Sequence, residues 1–188
     1  MTSPAGLLIA HGAGSDRDHR LSLALEEALD LPVCRMNFPY RKIGRKGPPD
    51  RAPKLIAEVV AEAEAFAADL GVGCEELVLG GRSMGGRMCS MAVAEGLPAR
   101  ALIMLSYPLH PPKQPEKLRI EHFPQIAIPS LFINGDRDPF GTPEEMKHEA
   151  RMIPGPVAMY WLEAQRHDPK PTFDAEIIEV VGQFLDSL

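Results

Sequence analysis

The sequence predicts an α/β protein whose single sheet has about six mostly parallel strands, with helices packed on both faces. Two observations lead to this prediction. Short apolar runs bounded by turn residues alternate with amphipathic helical patterns along almost the whole chain, an order that is typical of parallel sheets. The length of 188 residues also suits one domain, and no linker or repeat divides it, so we expect a single domain over residues 1–188.

Buried strands are predicted at six apolar runs, each too short for a helix and bounded by glycine, proline or polar residues. These runs are residues 7–10, 33–37, 77–79, 101–105, 130–133 and 157–162. In an open parallel sheet, ligands bind beyond the carboxyl ends of the strands. We therefore expect the functional residues in the loops that follow these runs.

Helices are predicted where apolar residues recur three or four positions apart. The predicted helices cover residues 21–29, 55–70, 84–95, 143–152 and 173–188. Asp50 and Pro53 suit the start of the second helix, and Thr142-Pro143-Glu144-Glu145 resembles a capping box at the start of the fourth. The proline-rich residues 107–129 have room for a small helix at about 116–121 and are too few for a lid domain.

The composition is that of an ordinary soluble globular protein, with 45% hydrophobic and 24% charged residues. A net charge of −6, from 20 Lys and Arg against 26 Asp and Glu, argues against binding to nucleic acid or to an anionic membrane surface. No basic leader precedes the apolar residues 7–10, and no apolar run approaches the roughly 18 residues of a membrane helix. We therefore expect a cytoplasmic protein with no membrane partner.

A metal site is not expected, because the chain has no His-Glu-x-x-His motif and no carboxylate cluster at ligand spacing. Its three cysteines, Cys34, Cys74 and Cys89, are irregularly spaced and include no Cys-x-x-Cys pair. We expect them to be reduced structural thiols.

A Gly-x-Ser-x-Gly motif, formed by Gly81, Ser83 and Gly85, follows the third predicted strand and opens the next helix. A serine on such a sharp turn has a strained backbone, and glycines two positions away on either side relieve the clash with the neighbouring strand and helix. This setting favours a nucleophilic Ser83 over an idle serine in a glycine-rich turn. A phosphate-binding loop is disfavoured because Gly86 is followed by Arg87 rather than by Lys and then Ser or Thr.

A serine nucleophile needs a histidine base, and the base needs a carboxylate that orients it. His167 lies between the last strand and the last helix, whereas His110 follows an earlier strand and precedes any suitable acid. We favour His167, because the expected chain order is Ser, acid, His. Asp136 and Asp138 both follow the fifth strand; we favour Asp138, which lies farther along the loop toward a histidine, and expect Asp136 to brace its own turn.

The first predicted strand ends in His11-Gly12-Ala13-Gly14, a glycine-rich turn at the same edge of the sheet. The backbone amide of Ala13 is the favoured donor of an oxyanion hole, together with the amide of Met84 after the serine. Gly12 and Gly14 allow the turn, and His11 is expected to brace the loop.

The residues expected to bind the substrate are Gly12, Arg82 and His110. Arg82, together with Arg41 and Arg87, has a guanidinium group that could receive a carboxylate or phosphate of the substrate. Ion pairs that hold loops together are the favoured alternative for these arginines. The remaining histidines that we expect to be solvated are His19, His122 and His148.

Four segments together resemble the small α/β-hydrolase group related to dienelactone hydrolases, and within it the testis-expressed and chromatin-complex hydrolase-like proteins. The segments are His11-Gly12-Ala13-Gly14, Gly81-Arg82-Ser83-Met84-Gly85-Gly86-Arg87, Ser106-Tyr107-Pro108-Leu109-His110-Pro111-Pro112 and Gly135-Asp136-Arg137-Asp138-Pro139-Phe140-Gly141. The resemblance implies an α/β-hydrolase fold with Ser83 as nucleophile, Asp138 as acid and His167 as base. It also implies oxyanion donors at Ala13 and Met84. Dienelactone hydrolases have cysteine in place of Ser83, so their substrate is not carried over.

These observations predict a lidless serine hydrolase that cleaves a small ester or thioester through an acyl-enzyme intermediate and needs no cofactor. The expected partner is a small-molecule acyl substrate, and a homodimer is one way to cover a shallow pocket. The rival prediction is a non-catalytic protein-interaction module on the same fold, which an intact set of Ser, Asp and His argues against. An acyltransferase or a cofactor-free haloperoxidase would share the triad.

Overall fold

A computed structural model of the chain describes residues 3–45 and 47–188, and within them six strands form one parallel sheet in the order β2-β1-β3-β4-β5-β6. The strands are β1 (Gly6–Ala10), β2 (Val33–Met36), β3 (Leu77–Arg82), β4 (Ala101–Leu105), β5 (Ser130–Gly135) and β6 (Val157–Leu162). The predicted fold class is confirmed. The predicted domain bounds include residues 1, 2 and 46, which lie outside the described residues.

The helices alternate with these strands along the chain. They are α1 (Arg20–Ala28), α2 (Pro39–Lys42), α3 (Ala52–Leu70), α4 (Met84–Ala94), α5 (Pro143–Glu149) and α6 (Asp174–Asp186). Helix α5 has the predicted capping box, in which Thr142 and Glu145 each bond the other's backbone. Helix α3 begins after Arg51 without a side-chain cap, because the Asp50 carboxylate binds Arg45 and Lys54 instead.

Two apolar layers cover the two faces of the sheet, because successive strand residues point to opposite sides. Leu8 and Leu79 face the layer that holds α3 and α4, where Leu55, Val59 and Met88 are buried. On the other face, α1 and α6 cover the sheet, and the residues buried there include Leu7, Val78, Leu21, Leu25, Ile177 and Val181. None of the helices formed by the described residues combines the length and the apolar character that a membrane span requires.

The connection between β4 and β5 differs from its prediction. The small helix expected at about 116–121 is wrong; a single 3-10 turn forms at Phe123–Gln125 instead. The backbone of Arg119 is already satisfied by the preceding segment, because its N–H donates to Leu109 O at 2.9 Å and its carbonyl accepts from Tyr107 Oη at 2.6 Å. These contacts replace helical hydrogen bonds and hold Arg119 beside the carboxyl edge of the sheet.

The amino end of α4 packs directly against the backbone of β1 and β3, and this contact leaves no space for side chains. A Cβ at Gly85 would lie 2.2 Å from Ala10 O, and a Cβ at Gly81 would lie 2.5 Å from the backbone carbon of Gly85. The intervening Ser83 has φ 52° and ψ −116°, a strained conformation for a residue with a side chain. Such strain costs about 1–3 kcal/mol and persists only where the surrounding contacts enforce it.

We expect Gly85→Ala to lower the free energy of unfolding by about 3 kcal/mol, because its methyl group would overlap backbone atoms that cannot move independently. Gly182→Ala is the matched control. Gly182 is inside α6, and apart from its chain neighbours and the nearby helix backbone no described atom lies within 4 Å of a Cβ built there, so this variant should be about 1 kcal/mol more stable than the wild type. Urea unfolding followed by circular dichroism measures both. A Gly85→Ala protein as stable as the wild type would contradict the close contact.

Candidate active site

Side chains from three separate loops form one hydrogen-bonded chain at the carboxyl edge of the sheet. Ser83 follows β3, Asp138 follows β5 and His167 follows β6. Ser83 Oγ lies 2.8 Å from His167 Nε2, and His167 Nδ1 lies 2.8 Å from Asp138 Oδ2. Because all strands are parallel, their carboxyl ends meet at one edge, which is why residues 84 positions apart in sequence come into contact.

The backbone around Ser83 holds its hydroxyl above the end of β3. The Ser83 N–H donates to Leu105 O at 2.8 Å on the neighbouring strand, and its carbonyl accepts from Arg87 N at 3.1 Å in the first turn of α4. The serine is thus tied to both the sheet and the helix. The positive end of the α4 dipole also lies at this residue, where it favours negative charge.

Asp138 is the carboxylate that meets the histidine. Its side chain is fully buried, and Oδ1 accepts a hydrogen bond from Phe140 N at 2.9 Å, which leaves Oδ2 for His167. Asp136, the alternative acid, makes no such contact: one of its buried oxygens has no hydrogen-bond partner among the described residues. The ring of Phe140 stacks on the imidazole of His167 with centroids 4.0 Å apart, so one loop both orients and covers the histidine.

The loop that carries His167 is anchored by Gln165, which is 5% exposed. Its side chain donates to Glu163 O and accepts from Lys170 N, and its backbone carbonyl accepts from Arg137 N at 2.9 Å. Gly135 lies so close that a Cβ there would be 2.3 Å from the same carbonyl. The loop after β6 is therefore held against the loop after β5, which brings His167 to Asp138.

The turn after β1 presents the backbone amide of Ala13 to the same cleft. The Gly12 carbonyl accepts from Ser15 N at 3.2 Å and lies 2.7 Å from His11 Nδ1, while His11 Nε2 accepts from Phe38 N at 3.3 Å. A trans peptide directs its N–H opposite to its carbonyl, so these contacts aim the Ala13 N–H away from His11. Burial lowers the pKa of His11, which keeps the ring in the neutral form that these two hydrogen bonds require.

A cleft of about 400 Å³ adjoins the serine and histidine, a size within the usual range of ligand sites. Its lining residues are Ala13, Gly14, Arg82, Ser83, Met84, Arg87, Pro108, Arg119, Phe140 and His167. The Met84 amide is at the first position of α4, where N–H groups have no partner within the helix. The cleft thus brings together a hydroxyl, an imidazole and two backbone amides.

Two predicted substrate-binding residues lie outside the lining of this cleft. His110 is 5% exposed, with Nδ1 2.8 Å from Pro111 O and Nε2 3.4 Å from the Glu145 carboxylate, so both ring nitrogens face other groups. Gly12 lies behind the lining, where a Cβ would be 3.1 Å from the Arg82 guanidinium. Its missing side chain therefore leaves room for the Arg82 guanidinium, which lines the cleft.

The three candidate arginines differ in what they contact. Arg82 borders the cleft and pairs with Asp168 at 2.8 Å, the kind of ion pair that the favoured alternative predicted. Arg41 forms no ion pair with a described residue and holds the turn after β1 by donating to Ser15 O at 2.8 Å. Arg87 lines the cleft and forms no ion pair with any described residue. Sequence reasoning missed Arg119 and Phe140 at this site. Phe140 could have been predicted, because it follows the proposed acid Asp138 by two positions in the same loop. Arg119 could not, because it lies in an irregular segment whose sequence has no periodic pattern.

Two of the three histidines expected to be solvated, His19 and His122, are half-buried. His122 is half-buried, with Nε2 2.8 Å from Ser90 Oγ beneath the cleft, and burial, then the nearby charge of Arg87, lowers its pKa to about 4. His148 is exposed as expected, and His19 caps α1 by accepting from Leu21 N. In the described part of the chain, no three His, Cys, Asp or Glu side chains converge as metal ligands would.

A larger groove of about 700 Å³ lies at the opposite edge of the sheet. It is lined by Arg100, Pro129, Pro156, Val157, Ala158, Phe184, Ser187 and Leu188. These residues come from the amino ends of β4, β5 and β6 and from the end of α6 and the residues after it, and they include no nucleophile next to a base. The smaller cleft beside Ser83 is therefore the candidate active site.

A serine on a strained turn after a central parallel strand, facing a histidine and a buried aspartate on later loops, defines the α/β-hydrolase fold. The chain belongs to the alpha/beta hydrolase domain family, which it matches over residues 3–178. The finer resemblance to testis-expressed and chromatin-complex proteins stays a prediction.

Solved structures of similar fold include three hydrolase relatives. An alpha-beta serine hydrolase homologue from Coxiella burnetii is 20% identical with a TM-score of 0.77, covering 98% of this chain and 89% of that chain. A dienelactone hydrolase from Anabaena variabilis is 16% identical (TM-score 0.75; 98% and 87% covered). A monoacylglycerol lipase from Paleococcus ferrophilus is 15% identical (TM-score 0.72; 98% and 96% covered). Identities this low show the shared fold.

We expect the stability of the protein to fall as the pH decreases from 6.5 to about 4, partly because of His122. Between these pH values the His122 imidazole binds a proton in the unfolded state but stays neutral in the folded state. Acidification therefore favours the unfolded state and removes at most about 3 kcal/mol of the free energy of unfolding. His122→Gln should flatten this dependence, and His148→Gln, at an exposed position, should retain it. Urea unfolding at several pH values measures the effect. Equal pH dependence in all three proteins would contradict the burial of His122.

Proposed function

We propose that the protein is a serine hydrolase that cleaves a small ester or thioester through an acyl-enzyme intermediate. The observation that carries this proposal is the pair of 2.8 Å contacts that link Ser83, His167 and Asp138. A serine hydroxyl is a weak nucleophile, and a neighbouring imidazole that removes its proton makes it reactive. Membership of the alpha/beta hydrolase domain family supports the same reaction class.

In the proposed reaction, Ser83 Oγ attacks the carbonyl carbon while His167 Nε2 takes the hydroxyl proton. The Asp138 carboxylate accepts from His167 Nδ1–H, which fixes the tautomer of the ring and stabilises its protonated form. His167 then gives the proton to the leaving oxygen or sulfur, and the carbonyl of the acyl-enzyme re-forms. Water activated by the same imidazole attacks this ester and releases the acid and free Ser83.

The oxyanion of each tetrahedral intermediate would accept hydrogen bonds from the amides of Ala13 and Met84. Both residues line the cleft beside Ser83, and no described residue accepts a hydrogen bond from the Ala13 N–H. Loss of one such donor costs about 100- to 1,000-fold in kcat in serine hydrolases. A small substrate is favoured, because the cleft is near the lower end of the usual size range.

A fluorophosphonate probe should label Ser83 of the folded wild-type protein, as intact-mass and peptide mass spectrometry would detect. Ser83→Ala should abolish the labelling and the hydrolysis of p-nitrophenyl and thioester substrates. A folded wild-type protein that neither reacts with the probe nor hydrolyses any short-chain ester would contradict the proposal and favour a non-catalytic interaction module.

Asp138→Asn should lower kcat by about 1,000- to 10,000-fold, since the amide no longer selects the required histidine tautomer. The matched control is Asp136→Asn, which changes the same charge two positions away on a side chain that does not contact His167. We expect it to stay close to wild-type kcat. Equal losses in the two variants would show that charge in this loop, and not the Asp138 contact, supports the reaction.

His11→Phe should lower kcat by about tenfold with little change in KM, because the hydrogen bonds that aim the Ala13 amide would be lost. The ring stays against Phe38 and Tyr40, whose centroids lie 5.0 and 5.9 Å away, so the packing is preserved. His11→Asn, which retains one donor near the Gly12 carbonyl, should recover part of the loss. Steady-state kinetics with one ester measure all three, and a KM effect alone would contradict this positioning role.

A further inference from the structure

Two guanidinium groups that have no carboxylate partner among the described residues line the cleft beside the proposed nucleophile. Arg87 lies in the first turn of α4, and Arg119 lies in the irregular segment between β4 and β5. Both side chains are half-buried, and neither forms an ion pair with any residue that the structure describes. One wall of the cleft is therefore positively charged although the whole chain carries a net charge of −6.

We propose that Arg87 and Arg119 form a subsite for an anionic group of the substrate, so that the preferred esters or thioesters carry a carboxylate or phosphate. This inference rests on the proposed hydrolase activity and names its substrate class. Guanidinium groups bind planar oxyanions through paired, charge-assisted hydrogen bonds, which are among the stronger polar contacts in proteins.

Arg87 differs from three other half-buried arginines that have carboxylate partners. Arg20 and Arg35 each meet one or more carboxylates, and Arg82 pairs with Asp168. Among the described residues, Arg87 has no ion-pair partner. Its buried Nε is unsatisfied, as is that of Arg82, but Arg82 has the Asp168 carboxylate for its terminal nitrogens and Arg87 has none. A buried donor without a partner is costly, whereas a ligand oxyanion in the cleft would satisfy it.

The two arginines are held in place by buried hydroxyl groups beneath the cleft. Ser90 Oγ donates to the Arg87 carbonyl at 2.9 Å, and Tyr107 Oη donates to the Arg119 carbonyl at 2.6 Å. The guanidinium of Arg119 also contacts Pro108 O at 3.4 Å. The backbones that carry the two charges are thus fixed before any ligand binds, as a preorganised subsite requires.

The two positive charges also act on each other. Burial, and then the nearby charge of Arg87, lowers the pKa of Arg119. An anion between the two groups would remove this repulsion and replace lost solvation. Because Ser83, Arg87 and Arg119 line one cleft of about 400 Å³, an anion bound by the two arginines and an ester at Ser83 would belong to the same small molecule.

The test compares esters that differ only in charge. Mono-4-nitrophenyl adipate places a carboxylate on the acyl side, and 4-acetoxybenzoate places one on the leaving group; the methyl ester of each carboxylate is its neutral partner. We expect the wild-type protein to prefer the charged member of at least one pair by about tenfold or more in kcat/KM. Arg87→Met and Arg119→Met should each lower that charged-to-neutral ratio, and Arg87→Lys should restore part of it.

Arg151→Met is the matched control, because it removes the same charge from an exposed arginine near β6, away from the cleft. It should keep the wild-type ratio. The inference is overturned if neither pair shows a charge preference, or if Arg87→Met and Arg119→Met lower both members of a pair equally. Failure of the proposed function looks different, since then neither ester is hydrolysed and Ser83 is not labelled by the fluorophosphonate probe.

Competition experiments distinguish the two anions. Inorganic phosphate and adipate are each tested as inhibitors of neutral-ester hydrolysis by the wild-type protein and by the two methionine variants. Stronger inhibition by adipate assigns the subsite to a carboxylate, and stronger inhibition by phosphate assigns it to a phosphate. In either case the inhibition must weaken in Arg87→Met or Arg119→Met, and inhibition unchanged by both substitutions overturns the subsite.

Discussion

The site depends on how closely the amino end of α4 approaches the backbone of β1 and β3. At 2.2 Å, the distance from a Cβ at Gly85 to Ala10 O leaves room only for hydrogen. This approach forces the chain to reverse within one residue, and Ser83 takes the strained conformation that results. The same contact places the β1 turn beside the serine. A single packing constraint therefore fixes the positions of both the Ser83 hydroxyl and the neighbouring Ala13 amide.

The other half of the site is held by contacts between the loops after β5 and β6. The Gln165 carbonyl accepts a hydrogen bond from Arg137 N, and it lies so close to Gly135 that a side chain there would not fit. Asp138 is buried yet satisfied, because Phe140 N and His167 use its two oxygens. A buried carboxylate is tolerable only with such partners, so the hydrogen bonds that compensate its burial also orient the imidazole.

The cleft combines the hydrogen-bonded chain of Ser83, His167 and Asp138 with a positively charged wall. Arg82 is neutralised by Asp168 at the rim, while Arg87 and Arg119 keep their charges next to the space that a substrate would fill. Their backbones are anchored by Ser90 and Tyr107, and Ser90 also contacts His122. The buried hydroxyls of Ser90 and Tyr107 thus hold the backbone segments that carry Arg87 and Arg119. A substitution that removes either hydroxyl would affect both the local stability and the positions of these charges.

The amino-acid sequence by itself determined the six strands, five of the six α-helices that the described residues form, and the turn at Ser83, because apolar periodicity and glycine spacing act over a few neighbouring residues. The sequence favoured Asp138 and His167 from their chain order, and the tertiary structure brings the two side chains into contact. Only the tertiary structure decided that His110 turns toward Glu145, and that Arg82 is paired with a carboxylate while Arg87 and Arg119 are not paired with any described one. These outcomes depend on distances between residues far apart in the chain. Such distances follow from how the loops pack at the sheet edge, which no local pattern encodes.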